Sequence, residues 1–162
     1  GSFKYVHRPV ARGFSVVGAV LAMAVTVVIT LALTEPGWDT LKEQNDQTIK
    51  AEVAKIVKSG RPIVVDFTAN WCSNCLTIEK FTLSTAEAKK LYSQYDARLL
   101  KVDFSSSSAG GWGVAREILG GGGSIPLIAI YGPATGPDKP VFFASFFKVS
   151  DLEAALKKAT GK

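Results

Sequence analysis

Two cysteines lie close together in the sequence, and their spacing points to redox chemistry. Cys72 and Cys75 are the only cysteines of the 162 residues, and they are separated by Ser73 and Asn74. A purely structural disulfide is disfavoured, because closing so short a loop removes little entropy from the unfolded chain. A zinc site would need two more ligands, and the single histidine, His7, lies beyond a long apolar segment. A dithiol that alternates with a disulfide is favoured over two ordinary core thiols.

The position of the two thiols in a helix would give them different roles. If Cys72 caps a helix that begins there, its sulfur lies near unpaired backbone N–H groups and the positive end of the helix dipole, which favour the thiolate. Cys75, one turn further on, is then placed to attack a mixed disulfide formed by Cys72. We predict that Cys72 attacks and Cys75 resolves. Ser73 and Asn74 provide no cation to stabilise a thiolate, which favours a reducing pair over a strong oxidant.

Two carboxylates are expected beside the dithiol. Asp66 lies in an apolar segment six residues before Cys72, and Glu79 follows Cys75 by four residues, which places it on the same helical face. Burying an unpaired charge is costly, so a functional role is favoured over a tolerated structural acid. Our hypothesis is that both carboxylates raise the thiol pKa values through like-charge coupling.

The apolar pattern predicts the elements that would position these side chains. Short apolar runs predict buried strands at 63–68, 98–104, 126–131 and 141–147, the last two joined by a Pro/Gly-rich turn through 132–140. Amphipathic spacing predicts five helices. The first lies around Ile49 to Val57, the second runs from Cys72 to about Phe81, and the third opens with a Ser84/Glu87 capping box and ends at about Gln94. The fourth covers 112–119, and the last lies around Leu152 to Ala159. This order predicts an α/β fold with a mixed sheet flanked by helices.

An uncharged apolar segment precedes this domain. Residues 14–33 span 20 positions, about 30 Å as a helix, which matches the hydrocarbon core of a bilayer. Basic residues before the segment and acidic ones after it place the N-terminus in the cytoplasm. A secretory signal peptide is the alternative. We therefore expect a cytoplasmic flank at 1–13, a transmembrane helix at 14–33, a linker at 34–48 and the globular domain at 49–162.

The charge of the chain argues against nucleic-acid binding. The net charge is +5, but three of the 19 basic residues precede the apolar segment, so the remainder is nearly balanced against 14 acidic residues. It shows no basic stripe with interleaved aromatic residues. No cofactor and no metal are implied, because the two sulfurs themselves carry electrons.

The segment V-D-F-T-A-N-W-C-S-N-C resembles the active-site segment of the thioredoxin superfamily, and Ile125-Pro126, about fifty residues later, resembles its cis-proline. The resemblance covers residues 38 to 160 and implies a thioredoxin-like fold. It also implies that Asp66 assists proton transfer with Cys75, and that Trp71, Ile125 and Pro126 contact the partner protein.

A narrower resemblance is to the terminal domain of the DsbD family of thiol:disulfide interchange proteins and of the related ScsB-type membrane reductases. It rests on a final membrane helix before the domain, on Glu79 and on the segment F-T-L-S-T-A-E-A. This resemblance implies a protein-disulfide reductase in the bacterial inner membrane with its globular domain in the periplasm. It would take electrons from a membrane domain and pass them to a periplasmic acceptor domain.

Other interpretations remain open at this stage. A free-standing anchored thioredoxin-like protein serving cytochrome c maturation would use the same chemistry, and a redox-inert binding module would keep only the fold. Leu76 departs from the family, whose members often carry a basic residue there. Four phenylalanines at 142, 143, 146 and 147 are expected to pack on the sheet, in preference to forming a docking face.

Overall fold

The computed structural model describes residues 37–162. The predicted transmembrane helix at 14–33 and its cytoplasmic flank at 1–13 lie outside these residues. Within the described part of the chain, no helix is both long and apolar enough to cross a bilayer.

Five strands form one mixed sheet; the sequence predicts the mixed sheet and four of the strands, but not the first. The five strands are β1 (Asp39–Thr40), β2 (Ile63–Thr68), β3 (Arg98–Asp103), β4 (Leu127–Gly132) and β5 (Gly136–Phe143), in the spatial order β1-β3-β2-β4-β5. The strands β1, β3 and β2 are parallel, whereas β4 runs antiparallel to both β2 and β5. Strand β1 lies within the segment 34–48, which was expected to be a linker.

Helices cover both faces of the sheet. They are α1 (Asp46–Lys58), α2 (Ser73–Ile78), a π-helix (Glu79–Leu83) that continues α2, α3 (Ala86–Tyr95), α4 (Trp112–Ile118) and α5 (Val149–Thr160). One apolar core lies between the sheet and α1 with α4, and a second lies between the sheet and α3 with α5. Strand β2 contributes to both: Val65 and Phe67 belong to the first core and Val64 to the second. This burial on both faces explains why β2 is mostly apolar, with Asp66 and Thr68 as its polar residues.

The predicted start of the second helix after the dithiol is wrong by one residue. Thr85, not Ser84, is the N-cap of α3, and its side chain accepts a hydrogen bond from the backbone N–H of Ala88 at 3.2 Å. Ser84 instead closes the π-helix, where its N–H donates to the carbonyl of Glu79 at 2.9 Å. Ser84 therefore belongs to the end of the π-helix, and the cap of the next helix moves one residue further along the chain.

The predicted bounds of the last strand are also wrong. Strand β5 begins at Gly136, inside the expected turn, and ends at Phe143, before Phe146 and Phe147. Its two prolines, Pro137 and Pro140, are tolerated because, within residues 37–162, β5 pairs with β4 alone and its other edge makes no ladder hydrogen bonds.

Candidate redox site

The dithiol lies where β2 leaves the sheet. The chain turns directly after β2, and the N–H of Cys72 donates to the carbonyl of Ala69 at 3.1 Å. Cys72 is the N-cap of α2, as predicted, and its Sγ accepts a hydrogen bond from the N–H of Cys75 at 3.2 Å. A hydrogen bond to sulfur from a helix N-terminus favours the thiolate form.

The two cysteines are joined in a disulfide, and their Cα atoms are 5.3 Å apart. Only 8% of Cys72 and 3% of Cys75 is exposed, whereas the preceding Trp71 is 60% exposed. Within residues 37–162, no group of three or more His, Cys, Asp or Glu side chains could hold a metal ion.

Proline 126 lies at the same edge of the sheet as the dithiol. The Ile125–Pro126 peptide bond is cis, as the resemblance implied. Phe67 of β2 pairs with Leu127 of β4, so Pro126 comes next to the end of β2, and Ile125 packs against the apolar core that includes both cysteines.

Asp66 is a buried carboxyl group near the end of β2. Only 2% of it is exposed, and its Oδ2 atom has no hydrogen-bond partner among the described residues. Burial, reinforced by the charge of Glu79, raises the pKa of Asp66 to about 7, although Lys101 opposes the shift. Asp66 can therefore hold or release a proton near neutral pH.

Glu79 is paired with a residue that the sequence analysis missed. Lys101 of β3 forms an ion pair with Glu79, and both side chains are about three-quarters buried. Lys101 is also the register partner of Asp66, and its Nζ lies 6.0 Å from the centre of the Trp38 ring. The sequence does contain a sign of this pairing, because a lysine in the middle of the mostly buried strand R-L-L-K-V-D requires a partner for its charge. The site is thus two carboxyl groups and one cation, where the sequence analysis expected two carboxylates alone.

An open groove runs beside the dithiol. Its lining residues come from α2, the π-helix, β2, β3 and the segments that follow these strands; they are Thr68, Ala69, Asn70, Leu76, Glu79, Lys101, Asp103 and Ser105. The hydroxyl of Ser105 accepts a hydrogen bond from the N–H of Asn70 at 2.8 Å, which links the segments that follow β2 and β3. Solvent can therefore approach the Glu79–Lys101 pair from this side.

The exposed large apolar side chains of the described residues gather near this edge. Phe143 pairs with Ile128, so the end of β5 lies at the edge that carries Pro126, and the Thr82 hydroxyl donates to the carbonyl of Phe147 at 3.1 Å. Phe143 and Phe147 stack on each other with ring centres 4.3 Å apart, in line with the expected packing. The large apolar side chains that are exposed among the described residues are Trp71, Leu76, Phe81, Phe142 and Phe146. The expectation of packing was thus wrong for Phe142 and Phe146.

The family of the chain follows from comparison with known sequences. The thioredoxin-like family model matches residues 44–133, more than half of the chain. The chain therefore belongs to the thioredoxin-like family.

Curated relatives narrow this assignment. The thiol:disulfide interchange protein DsbD of Ralstonia nicotianae is 28% identical over 116 residues, which are 72% of this chain and 18% of that protein. DsbD of Campylobacter jejuni is 34% identical over 64 residues, which are 40% of this chain and 10% of that protein. The chain thus spans less than a fifth of the length of these relatives.

Solved structures share the fold. The C-terminal domain of Neisseria meningitidis DsbD in the oxidised form has a TM-score of 0.54 at 19% identity, covering 74% of this chain and 99% of that domain. Oxidised thioredoxin O2 of Arabidopsis thaliana has a TM-score of 0.50 at 22% identity, covering 76% and 94%. The chain is a DsbD-like thioredoxin domain, and its Cys72–Cys75 disulfide is consistent with thiol–disulfide oxidoreductase activity in general terms.

Proposed function

We propose that this chain is a membrane-anchored protein-disulfide reductase that relays electrons to disulfides of periplasmic proteins. The observation that carries the proposal is the Cys72–Cys75 pair at the start of α2, with the Cys72 sulfur bonded to a helix N–H. The curated relatives named thiol:disulfide interchange protein support this class of reaction.

The exchange transfers two electrons to the partner disulfide, and the two thiol protons pass to the partner sulfurs or to solvent. In the reduced protein, the Cys72 thiolate attacks a partner disulfide and displaces one partner sulfur as a thiol or thiolate. Cys75, after losing its proton, attacks the Cys72 sulfur of the mixed disulfide and releases the second partner sulfur. The partner leaves as a dithiol, and the Cys72–Cys75 disulfide remains.

Asp66 is proposed to take up the proton that Cys75 loses. A general base works best when its pKa lies near the working pH, and a pKa of about 7 meets that condition. Glu79 affects the pKa of Asp66 in two ways. Its own negative charge raises that pKa, and its ion pair with Lys101 offsets part of the positive charge that lowers it.

The partner is proposed to bind over the dithiol edge. Trp71, Ile125 and Pro126 would contact the chain that carries the attacked disulfide. The exposed Leu76 and Phe81 extend this apolar surface, and exposed apolar side chains grouped at one edge are typical of protein-binding sites.

The proposed location rests on the sequence and on the relatives. Residues 14–33 would anchor the chain in the bacterial inner membrane and leave the domain in the periplasm. By similarity to DsbD, a membrane domain would donate electrons and a periplasmic domain would accept them. A free-standing anchored protein would use the same site.

Trapping tests the proposed roles of the two cysteines. In the full chain, Cys75→Ser should leave a partner protein attached to Cys72 through a disulfide that dithiothreitol releases. Cys72→Ser is the matched control and should trap nothing. Insulin reduction should be lost in both variants. No insulin turnover in the wild type, and no further loss in Cys72→Ser, would favour a redox-inert binding module, whereas turnover that survives in Cys72→Ser would contradict the proposed role of Cys72.

Alkylation tests the proposed effect of the carboxylates on the thiols. The rate at which iodoacetamide modifies Cys72 should rise with pH as the thiolate forms. Asp66→Asn and Glu79→Gln should each move the midpoint of that profile to lower pH, because each removes a negative charge that opposes thiolate formation. Midpoints that stay at the wild-type position in both variants would contradict the hypothesis.

A further inference from the structure

A cavity of about 190 Å³ lies between α1, α4 and the hairpin formed by β4 and β5, away from the dithiol. Tyr131, which lines it, pairs with Ile63 at the start of β2, whereas the dithiol follows the other end of that strand, beyond Phe67. Four residues along a strand span about 13 Å, so the cavity and the two sulfurs occupy separate places in the fold. The exchange chemistry proposed above does not use this cavity.

The walls of the cavity are mostly apolar. They are formed by side chains of α1, α4 and β5, and these are Ile49, Val53, Val114, Ile118, Pro137 and Pro140. Ile49, Val53 and Val114 belong to the first apolar core, so the cavity opens onto that core. An apolar cavity of about 150 Å³ can hold benzene, and this one is therefore large enough for a single ring with a short chain.

The hydroxyl group of Tyr131 has no partner in this cavity. Only 4% of Tyr131 is exposed, and its hydroxyl makes no hydrogen bond within residues 37–162. The unpartnered side-chain oxygens that are sealed from solvent in these residues are Oδ2 of Asp66 and Oγ1 of Thr68. The small exposed part of Tyr131 therefore includes its hydroxyl, which faces the cavity. A nearly buried hydroxyl without a partner is uncommon, and a ligand would satisfy it.

The mouth of the cavity has an excess of negative charge. Two carboxylates and one ammonium group line it, and they belong to Glu117, Asp138 and Lys50. Lys50 is already paired with Glu117, whereas Asp138 has no hydrogen-bond or ion-pair partner among the residues described. Burial raises the pKa of Tyr131, and the charges of Glu117 and Asp138 raise it further, so the hydroxyl stays neutral at pH 7. A positively charged ligand group would pair with Asp138.

We propose that this cavity binds a small organic ammonium ion that carries one ring or a short branched chain. Its apolar part would pack against Ile49, Val53 and Val114, as a buried side chain does. Its ammonium group would donate a hydrogen bond to the Tyr131 hydroxyl and lie towards the carboxylate of Asp138. A neutral hydroxyl can accept such a bond, and a carboxylate supplies the opposite charge.

The binding test uses phenethylamine as the probe and the oxidised full chain in detergent micelles at pH 7. The methyl NMR signals of Ile49, Val53 and Ile118 report on the cavity directly. Phenethylamine should shift these signals in a saturable way, with a dissociation constant near or below about 1 mM for a ligand of this size. The anion 3-phenylpropionate has the same ring and a similar chain, and it should bind more weakly by about fivefold or more.

Variants of the cavity locate the bound amine. Ala54→Leu fills the cavity without removing a polar group, so it should abolish the saturable shifts and reveal any partition of the amine into the micelles. Tyr131→Phe keeps the ring and should weaken binding by about twofold to tenfold through the loss of one hydrogen bond. Asp138→Asn should weaken binding by about twofold to fivefold. Glu87→Gln removes an exposed acid of α3 as the matched control and should bind like the wild type.

The absence of saturable shifts in the wild type would overturn the proposal, and so would an affinity that Ala54→Leu leaves unchanged. Equal affinities for phenethylamine and 3-phenylpropionate, or a wild-type affinity in Asp138→Asn, would also overturn it, because the ammonium group would then not be recognised. Asp138 is exposed, so its variant keeps the fold even if the cavity variants fold poorly. None of these measurements involves the thiols or a partner protein, so they are independent of the trapping experiment.

Discussion

At the scale of single residues, Asp66 should make the stability of the oxidised protein depend on pH. Its pKa is about 7 in the folded protein against 3.8 for the free group. The folded state thus holds the proton more tightly than the unfolded chain, so stability should be highest below about pH 4 and fall as the pH rises to about 7. The loss is roughly 4 kcal/mol, to be measured by urea unfolding at pH 4, 6 and 8.

Asp66→Asn should remove this pH dependence, because the amide is uncharged at every pH. At pH 8 the variant should unfold at a higher urea concentration than the wild type, whose buried carboxylate is then charged. The exposed Asp138 of β5 provides the control, and Asp138→Asn should follow the wild-type profile. An oxidised wild type that is no less stable at pH 8 than at pH 4 would contradict the raised pKa.

The sequence predicts which acids are present at the site but not how they are paired. Asp66 can be identified because an acid in an apolar strand just before a dithiol is conspicuous. The pairing of Glu79 with Lys101 depends on β2 and β3 lying parallel in a register that sets Asp66 against Lys101. Local patterns carry no information on that register, since the paired residues are 22 positions apart in sequence.

At the scale of elements, the corrected cap of α3 gives a direct comparison. Thr85→Ala removes the side-chain oxygen that accepts the Ala88 N–H, and it should cost about 1 kcal/mol of unfolding free energy. Ser84→Ala is the matched variant and should change the stability little, because Ser84 contributes a backbone N–H that alanine retains. Chemical denaturation of the oxidised chain at one pH measures both. The reverse order of effects would restore the predicted Ser84 cap.

The two errors in element bounds have different physical origins. Sequence periodicity does not distinguish an α-helix that widens into a π-helix at Glu79–Leu83, so the following cap was placed one residue early. The prolines of β5 are typical of a turn, and only the position of β5 at the sheet edge makes them compatible with a strand. The strands β2 and β4 have no such ambiguity, because every residue in them is buried.

At the scale of the whole domain, the sheet topology brings separate parts of the sequence to one edge. The ends of β2 and β5 and the start of β4 meet there, so the dithiol, Pro126 and the exposed phenylalanines share that edge although they lie up to about 75 residues apart in sequence. The side chains Phe81 and Phe146 are 66% and 61% exposed, and exposed apolar side chains grouped at one edge are typical of protein-binding surfaces. We therefore expect them to contact protein substrates during exchange.

Phe81→Ser and Phe146→Ser should each lower kcat/KM for insulin reduction by about fivefold to thirtyfold. This is the usual loss when an aromatic contact worth about 1 to 2 kcal/mol is removed from an interface. The melting temperature should hardly change, since both side chains are already exposed to water in the free protein. Oxidised glutathione provides the control substrate, because it is too small to cover the dithiol and both phenylalanines together. Equal losses with insulin and with glutathione would place the effect at the sulfurs and remove these residues from the partner surface.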